Sequence, residues 1–399
     1  MTRRKIAVVT VGRSDYGILR PILKRILADP ALELKLIVGG MHLSPDFGLT
    51  VQEIEREKMP IAARVEMLES SDSPEAVARS MGRGLAGFAE AYLRLKPDWL
   101  LITGDRFEMF SAAAAAVPLN LPIAHLHGGE VSEGAIDEVF RHAITKMSHL
   151  HFVSTQRYRD RLLQMGEETW RVVVSGAPSL DNLTAFPLLS KEEMEARFGL
   201  KLERAPLLVT YHPVTREIER TQDQVKDLLA ALEEIGLPVV FTSPNADPQE
   251  REILEGIQSS LEKHPDWQFI RHLGTQAYFS LMRLAAAMVG NSSSGLLEAP
   301  SFGLPVVNIG TRQQGRVRAE NVIDVECGRQ EIVEGIRKTL SPAFKEQARR
   351  GGNPYGNGNA SGIIVEKIKQ VELGPDLLMK RFVDRPVLDK EGALATRCG

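Results

Sequence analysis

Ile6-Ala-Val-Val-Thr-Val11, followed by Gly12-Arg13-Ser14-Asp15-Tyr16-Gly17, decides the fold class. The first six residues form a continuous run rich in β-branched side chains, the pattern of a strand buried on both faces, and sheets that bury a strand this way are parallel and covered by helices. The run breaks at Gly12, and Ile18 to Ala28 then reads at helical spacing. Strand, polar loop and helix in that order make the repeating unit of a parallel α/β sheet.

The same unit recurs outward along the chain. Leu34–Val38 ends in Gly39-Gly40, Val51–Glu57 reads as helix, Ala63–Met67 as strand and Pro74–Leu95 as a long amphipathic helix. Trp99-Leu-Leu-Ile-Thr103 leads through Gly104-Asp105-Arg106 into an Ala-rich helix at 110–117, and the apolar Pro118–Ala124 precedes the densest polar loop of the chain. His151–Ser154, Tyr158–Met165 and Val172–Val174 continue as strand, helix, strand. The rhythm is interrupted between Leu183 and Pro206 and restarts with strands at Pro206–Thr210, Pro238–Thr242, Phe269–His272, Met288–Gly290 and Pro305–Ile309, separated by helices at Gln222–Ile235, 248–263 and 276–287. A Gly/Asn-rich loop at 351–362 precedes a helix at Ile363–Glu372, and the tail from Gly374 has no clear periodicity. The expectation is α/β, with two Rossmann-like doubly wound domains at 1–185 and 186–362, then a helix and tail at 363–399.

Composition sets limits on function. With 399 residues, 43% hydrophobic and 25% charged, the chain has material for more than one soluble domain. A net charge of −3 provides no strong field for nucleic acid or an anionic membrane, so neither is expected as a partner. Its two cysteines, Cys327 and Cys398, lack metal-ligand spacing and suit a reducing compartment. Only six residues separate the basic start from Gly12, too few for a signal peptide or membrane helix, and a cytoplasmic location is expected.

The loop after Ala124 reads His125-Leu126-His127-Gly128-Gly129-Glu130 and continues through Ser132, Glu133 and Asp137 to Arg141, His142 and Lys146. Imidazoles and carboxylates around a Gly-Gly turn at a strand's carboxyl end fit a ligand site of an open α/β sheet, although an ordinary polar loop can also follow a strand. The first loop lacks G-x-G-x-x-G spacing, and no acidic residue ends the second strand, which argues against a nicotinamide cofactor. Arg13 suits either a phosphate at a helix start or a surface ion pair. Asp105 fits a cleft mouth or a helix cap, and Arg106 offers a planar fork for a diphosphate. Gly290-Asn291-Ser292-Ser293-Ser294-Gly295 presents amides and hydroxyls at a helix start, and Glu298 lies where a carboxylate can reach a ribose. His212, in Thr210-Tyr-His-Pro213, ends a strand and fits either a site or a structural hydrogen bond.

Together these motifs resemble the hydrolysing UDP-N-acetylglucosamine 2-epimerases of the sialic-acid and legionaminic-acid type. The resemblance runs through Arg13–Gly17, Gly104-Asp105-Arg106, His127-Gly-Gly-Glu130, Asp137–Met147, His212-Pro213, Gly290–Glu298 and Asn353-Pro-Tyr-Gly356. It implies a GT-B-like pair of domains facing a cleft, the first on the sugar side and the second on the nucleotide side, with a C-terminal helix crossing back. It also implies elimination of nucleoside diphosphate to a 2-acetamidoglycal, then hydration to a free sugar inverted at C2, with no metal or other cofactor. The partner is a nucleoside-diphosphate sugar, and a homo-oligomer, dimer or tetramer, is expected. Nucleotide contacts carry over onto Arg13, Arg106, His212, Asn245, Ser292, Ser293, Glu298 and Arg312, joined on the substrate side by Asp15, Arg141, His142 and Ser294. Catalytic carboxylates carry over onto Asp105 and Asp137. His127 stands where many members have Glu, so Glu130 and His127 both remain candidates for that role, and His212 is counted with the catalytic set. Candidate substrates are UDP-N-acetylglucosamine, GDP-N-acetylglucosamine and UDP-N,N'-diacetylbacillosamine. A non-hydrolysing 2-epimerase, a retaining glycosyltransferase of the same shape and a silent sugar-nucleotide sensor are the alternatives.

Overall fold

Strand β1 (Arg4–Thr10) is flanked by β2 (Leu32–Gly39) and β4 (Trp99–Thr103), paired in parallel with Ile6 opposite both Leu34 and Trp99. In a computed structural model, residues 3–71, 73–131, 136–244 and 250–386 are described. The chain divides into two units, one of residues up to Ser179 together with those from Asn359 onward, the other Leu180–Gly358.

The first unit adds β3 (Ile61–Val65), β5 (Ile123–Leu126), β6 (Leu150–Val153) and β7 (Val172–Val174) in the order β3-β2-β1-β4-β5-β6-β7, every pair parallel. Its helices are α1 (Arg13–Ala28), α2 (Val51–Arg56), α3 (Pro74–Leu95), α4 (Phe107–Ala116), α5 (Ile136–Met147) and α6 (Gln156–Gln164). The second unit contains α7 (Lys191–Phe198), β8 (Leu207–Thr210), α8 (Thr221–Ile235), β9 (Val239–Thr242), α9 (Glu250–Leu261), β10 (Trp267–Ile270), α10 (Gly274–Leu284), β11 (Ala287–Gly290), α11 (Ser294–Leu297), β12 (Val306–Ile309), β13 (Val322–Val325), α12 (Arg329–Leu340) and α13 (Pro342–Arg350). Its parallel sheet runs β10-β9-β8-β11-β12-β13. In each sheet the order reverses beside the first strand, between β1 and β4 and between β8 and β11. Doubly wound folds hold their ligands at such points, beyond the carboxyl ends of the strands.

Each sheet buries both faces. In the first unit one face packs under α1 with α14 (Ala360–Gln370), the other under α3 and α4. Ile364 and Ile368 of α14 are wholly buried against Leu19, Ile22 and Ile26 of α1, and each such side chain contributes about 1.5–3 kcal/mol. The Arg4 guanidinium donates to the carbonyls of Lys369 and Val371 at 3.0 Å, closing the end of α14. The chain thus returns to the first unit because α14 completes its core. A four-residue helix, α15 (Pro375–Leu378), lies in the tail that the sequence left unassigned.

Several elements differ from expectation for identifiable reasons. Helix α1 begins at Arg13 rather than Ile18, because the Asp15 carboxylate accepts the amides of Val11 and Gly12 and so closes the first turn. The strand expected at Phe269–His272 is Trp267–Ile270, since Trp267 fills the core against Phe241 while Arg271 and His272 face solvent. Strand β3 shifts two residues earlier than expected. The edge strand β13 is only half-buried and carries Asp324, so it lacks the apolar run that marks the others. No helix among the described residues is long and apolar enough to cross a membrane.

Candidate active site

The loops after β1, β4, β5 and β6 meet at one edge of the first sheet because these four strands are adjacent and parallel. Asp105 follows β4, where Gly104 turns the chain, and its carboxylate forms an ion pair with Arg141 of α5. Arg141 is buried and also donates to the His127 carbonyl at 3.0 Å, so one guanidinium ties the β4 loop to the β5 loop. This bidentate geometry requires arginine, because a lysine ammonium cannot span both acceptors in one plane.

His127 adopts φ +64°, a left-handed conformation uncommon for histidine and held only when the surroundings enforce it. Here Arg141 holds its carbonyl, and its amide donates to Phe152 in β6 at 3.1 Å. Its Nδ1 lies 2.7 Å from Glu130 Oε1, which also accepts the Ser154 hydroxyl at 2.8 Å. A carboxylate only accepts, so Nδ1 carries the proton and Nε2 the lone pair of the neutral ring. The Gly-Gly turn is required by space: Gly129 has φ +75°, and a Cβ there would lie 2.7 Å from the Tyr158 carbonyl. His125 is wholly buried and donates from Nε2 to the Gly104 carbonyl at 2.8 Å, and burial pulls it down to about 3, so it is a neutral strut.

Asp137 opens α5. Burial pushes its carboxyl above the usual range, the neighbouring Asp105 charge pushes it further, and Arg106 and Arg141 oppose the shift. Two carboxyl groups in different environments, one ion-paired and one raised by burial, suit a division into acid and base. Arg106 places Nε and Nη2 each 3.1 Å from the fully buried Glu108, which fixes the plane of its fork. Arg13 is exposed and pairs with Glu53 at 3.1 Å, the surface alternative considered for it. Asp15 is buried with both oxygens on backbone amides, 2.7 and 2.8 Å away, so it shapes the first loop. His142 is part-exposed and 3.3 Å from Glu138. Ser132, Glu133 and Asn245 lie outside the described residues.

In the second unit the loops after β8, β11 and β12 are joined by Asn291. Its side chain accepts the His212 amide at 2.7 Å and donates to the His212 carbonyl at 2.8 Å, while its own carbonyl accepts Arg312 at 3.2 Å and Gln313 at 2.8 Å. Sequence reasoning passed over Asn291; its only signal was its place between Gly290 and three serines. His212 is buried, which pulls it down to about 3, with Arg312 acting in the same direction, so it serves as a neutral imidazole. The Ser292 hydroxyl accepts the Ser294 amide at 3.4 Å, and Ser293 precedes α11. Helix α11 spans only four residues, so its start presents amides and hydroxyls with little helix dipole behind them. Glu298 is buried at its end. Behind this loop, Asn353 donates to the Leu297 carbonyl at 2.7 Å and Tyr355 to the Val317 carbonyl at 2.9 Å, which explains the Asn353-Pro-Tyr-Gly356 motif as a brace.

Gly290 has φ +138°, and a Cβ on it would lie 2.0 Å from the Thr210 carbonyl, a backbone atom that cannot step aside. Gly290→Ala is expected to lower stability by about 3 kcal/mol or more, read as a fall in the urea midpoint. An unchanged midpoint would show that the β8–β11 contact is not rigid.

Residues 24–369 match the family model described as UDP-N-acetylglucosamine 2-epimerase. A GDP/UDP-N,N'-diacetylbacillosamine 2-epimerase (hydrolyzing) of Campylobacter jejuni is 40% identical over 387 residues, covering 96% of this chain and 100% of that protein. A UDP-N,N'-diacetylbacillosamine 2-epimerase (hydrolyzing) of Legionella pneumophila is 37% identical over 378 residues, covering 94% and 98%. Among solved structures, a UDP-GlcNAc 2-epimerase of Neisseria meningitidis bound to UDP-GlcNAc aligns with a TM-score of 0.76 at 20% identity, over 92% of this chain and 100% of that one.

Proposed function

The chain belongs to the UDP-N-acetylglucosamine 2-epimerase family, and from that premise we propose that it is a hydrolysing 2-epimerase of a nucleoside-diphosphate N,N'-diacetylbacillosamine. The observation that carries the reading is full-length likeness to two proteins named as hydrolysing 2-epimerases of that sugar nucleotide. Those names favour the hydrolysing branch over the non-hydrolysing one. The polar cluster of the first unit supports the chemistry, since paired carboxyl groups in contrasting environments are typical of acid–base sites.

The C2 hydrogen of the sugar has no carbonyl beside it and becomes acidic only as the C1–O bond breaks. Arg106, Arg312, the Ser292–Ser294 amides and hydroxyls, and neutral His212 as a hydrogen-bond donor take up the charge leaving on the diphosphate. Asp105, held by Arg141, removes the C2 proton; the C2–H electron pair becomes the C1=C2 bond, and the C1–O pair departs with the nucleoside diphosphate. Asp137 then gives its proton to C2 from the opposite face, water adds at C1, and His127 Nε2, oriented through Glu130, takes the proton of that water. Exchange with solvent resets the three groups, leaving a free sugar inverted at C2. Arg13, Asp15, Arg141 and His142 shape or line the substrate side. We place the enzyme in the cytoplasm, a reading supported by its two cysteines without metal-ligand spacing, and as a homo-oligomer.

Substrate choice is tested by measuring nucleoside-diphosphate release from UDP- and GDP-N,N'-diacetylbacillosamine and from UDP-N-acetylglucosamine. The diacetyl sugar is expected to give the highest kcat/KM, by at least about tenfold, since an acetamido group at C4 in place of a hydroxyl changes what the pocket must hydrogen-bond. A higher kcat/KM for UDP-N-acetylglucosamine would overturn the substrate and leave the reaction class standing.

A further inference from the structure

Residues 375–383 carry none of the chemistry above, yet they are tightly held. Arg171, wholly buried, donates to the carbonyls of Leu377 at 2.9 Å, Met379 at 3.1 Å and Asp376 at 3.3 Å. The Val383 amide donates to the Gly166 carbonyl at 2.9 Å, and Phe382 lies so close to Gly166 that a Cβ there would meet its ring at 2.4 Å. Between these anchors Lys380 turns inward. Its ammonium donates to the carbonyls of Ser148 at 2.7 Å, Thr145 at 2.9 Å and Lys146 at 3.1 Å, and is 2.7 Å from Glu167, whose carboxylate is fully buried.

Thr145 and Lys146 supply last-turn carbonyls of α5, groups that have no partner within their own helix. A cation here satisfies those acceptors and opposes the negative end of the helix dipole. Burial pulls the Lys380 ammonium down to about 8 while Glu167 holds it up, so it remains charged at neutral pH. The other end of α5 carries Asp137 and, one turn on, Arg141. At that end Ile136 and Val139 are exposed and the helix is held through Arg141, whereas Ile144, Thr145 and Ser148 at the capped end are fully buried. The C-terminal half of α5 is therefore its more deeply buried anchor, and the direction of the helix depends on it.

We propose that Lys380 is a positioning residue for the elimination and hydration: from the C-terminal strap it caps α5 and fixes the helix that aims Asp137 and Arg141 at Asp105. The inference rests on the roles given above to those carboxylates. A helix of 12 residues spans about 18 Å, so a small tilt at the capped end becomes a shift of the order of 1 Å at the site, enough to slow a positioned proton transfer.

The test uses the full chain with UDP-N,N'-diacetylbacillosamine as substrate and UDP as the binding probe. Lys380→Met is expected to lower kcat about tenfold, leave KM and UDP affinity within about twofold, and speed hydrogen exchange of the α5 amides. Lys380→Arg, which keeps the charge and donors, is expected to recover most of kcat. Phe382→Ala removes an exposed side chain that pins the strap, and so should fold whatever becomes of Lys380→Met; it is expected to lower kcat about threefold with KM unchanged. If Lys380→Met keeps kcat within about twofold, or Phe382→Ala does so where Lys380→Met fails to fold, the strap is structural only and the proposal falls. The underlying chemistry is judged separately: Asp105→Asn that still turns over would overturn that reading, whereas an inactive Asp105→Asn beside a fully active Lys380→Met would overturn the Lys380 role alone.

Discussion

Asp105→Asn is expected to lose turnover by about 10³-fold and to bind UDP with nearly unchanged affinity, because the amide keeps the shape of the carboxylate but cannot take the C2 proton. The carboxylate is ion-paired with Arg141, whose guanidinium is held in place by the His127 carbonyl, so the β4 and β5 loops stay together in the variant. Nucleotide affinity is expected to survive because the proposed phosphate and ribose contacts lie mainly in the second unit. Asp137→Asn is expected to fail at the other half-reaction: elimination still releases nucleoside diphosphate once, but C2 is not reprotonated and the glycal accumulates. Single-turnover kinetics with UDP titration by calorimetry separate these outcomes. Full turnover in Asp105→Asn would sink the acid–base assignment.

Arg141→Met is expected to remove activity and to cost about 3 kcal/mol of stability in urea, the low end for breaking a buried pair, because Asp105 keeps one-fifth of its side chain in water. The loss has two sources. Asp105 is left without its counter-charge, and the His127 carbonyl, in a left-handed turn that other contacts must enforce, loses its donor. Arg141→Lys should recover part of the stability and little of the activity, since one ammonium cannot serve both acceptors. An Arg141→Met protein as stable as the parent would mean that the pair with Asp105 contributes nothing to the fold.

The parallel sheets were legible because their strands are short apolar runs that break on turn residues: β1, β4 and β11 end at or beside Gly12, Gly104 and Gly290, and β8 runs into Tyr211-His212-Pro213. The polar loops at those strand ends were legible for the same reason, since each strand's apolar run stops where they begin. What the chain hides is non-local. Asn291 acts through backbone groups of His212, 79 residues away, and Lys380 through carbonyls more than 230 residues back. Neither contact leaves a local pattern. Asp15 reads as a ligand contact until its two oxygens are found on the amides of Val11 and Gly12. His212 reads as either a site residue or a structural hydrogen-bonder, and only its burial shows that the ring is neutral.

Proton NMR in D2O, with the full chain and UDP-N,N'-diacetylbacillosamine, tests the elimination and hydration most directly. The account predicts free nucleoside diphosphate and a free manno-configured diacetyl sugar that carries deuterium at C2, with no epimerised sugar nucleotide building up. Release of the sugar with its original C2 proton, or an epimerised sugar nucleotide that persists, would contradict it.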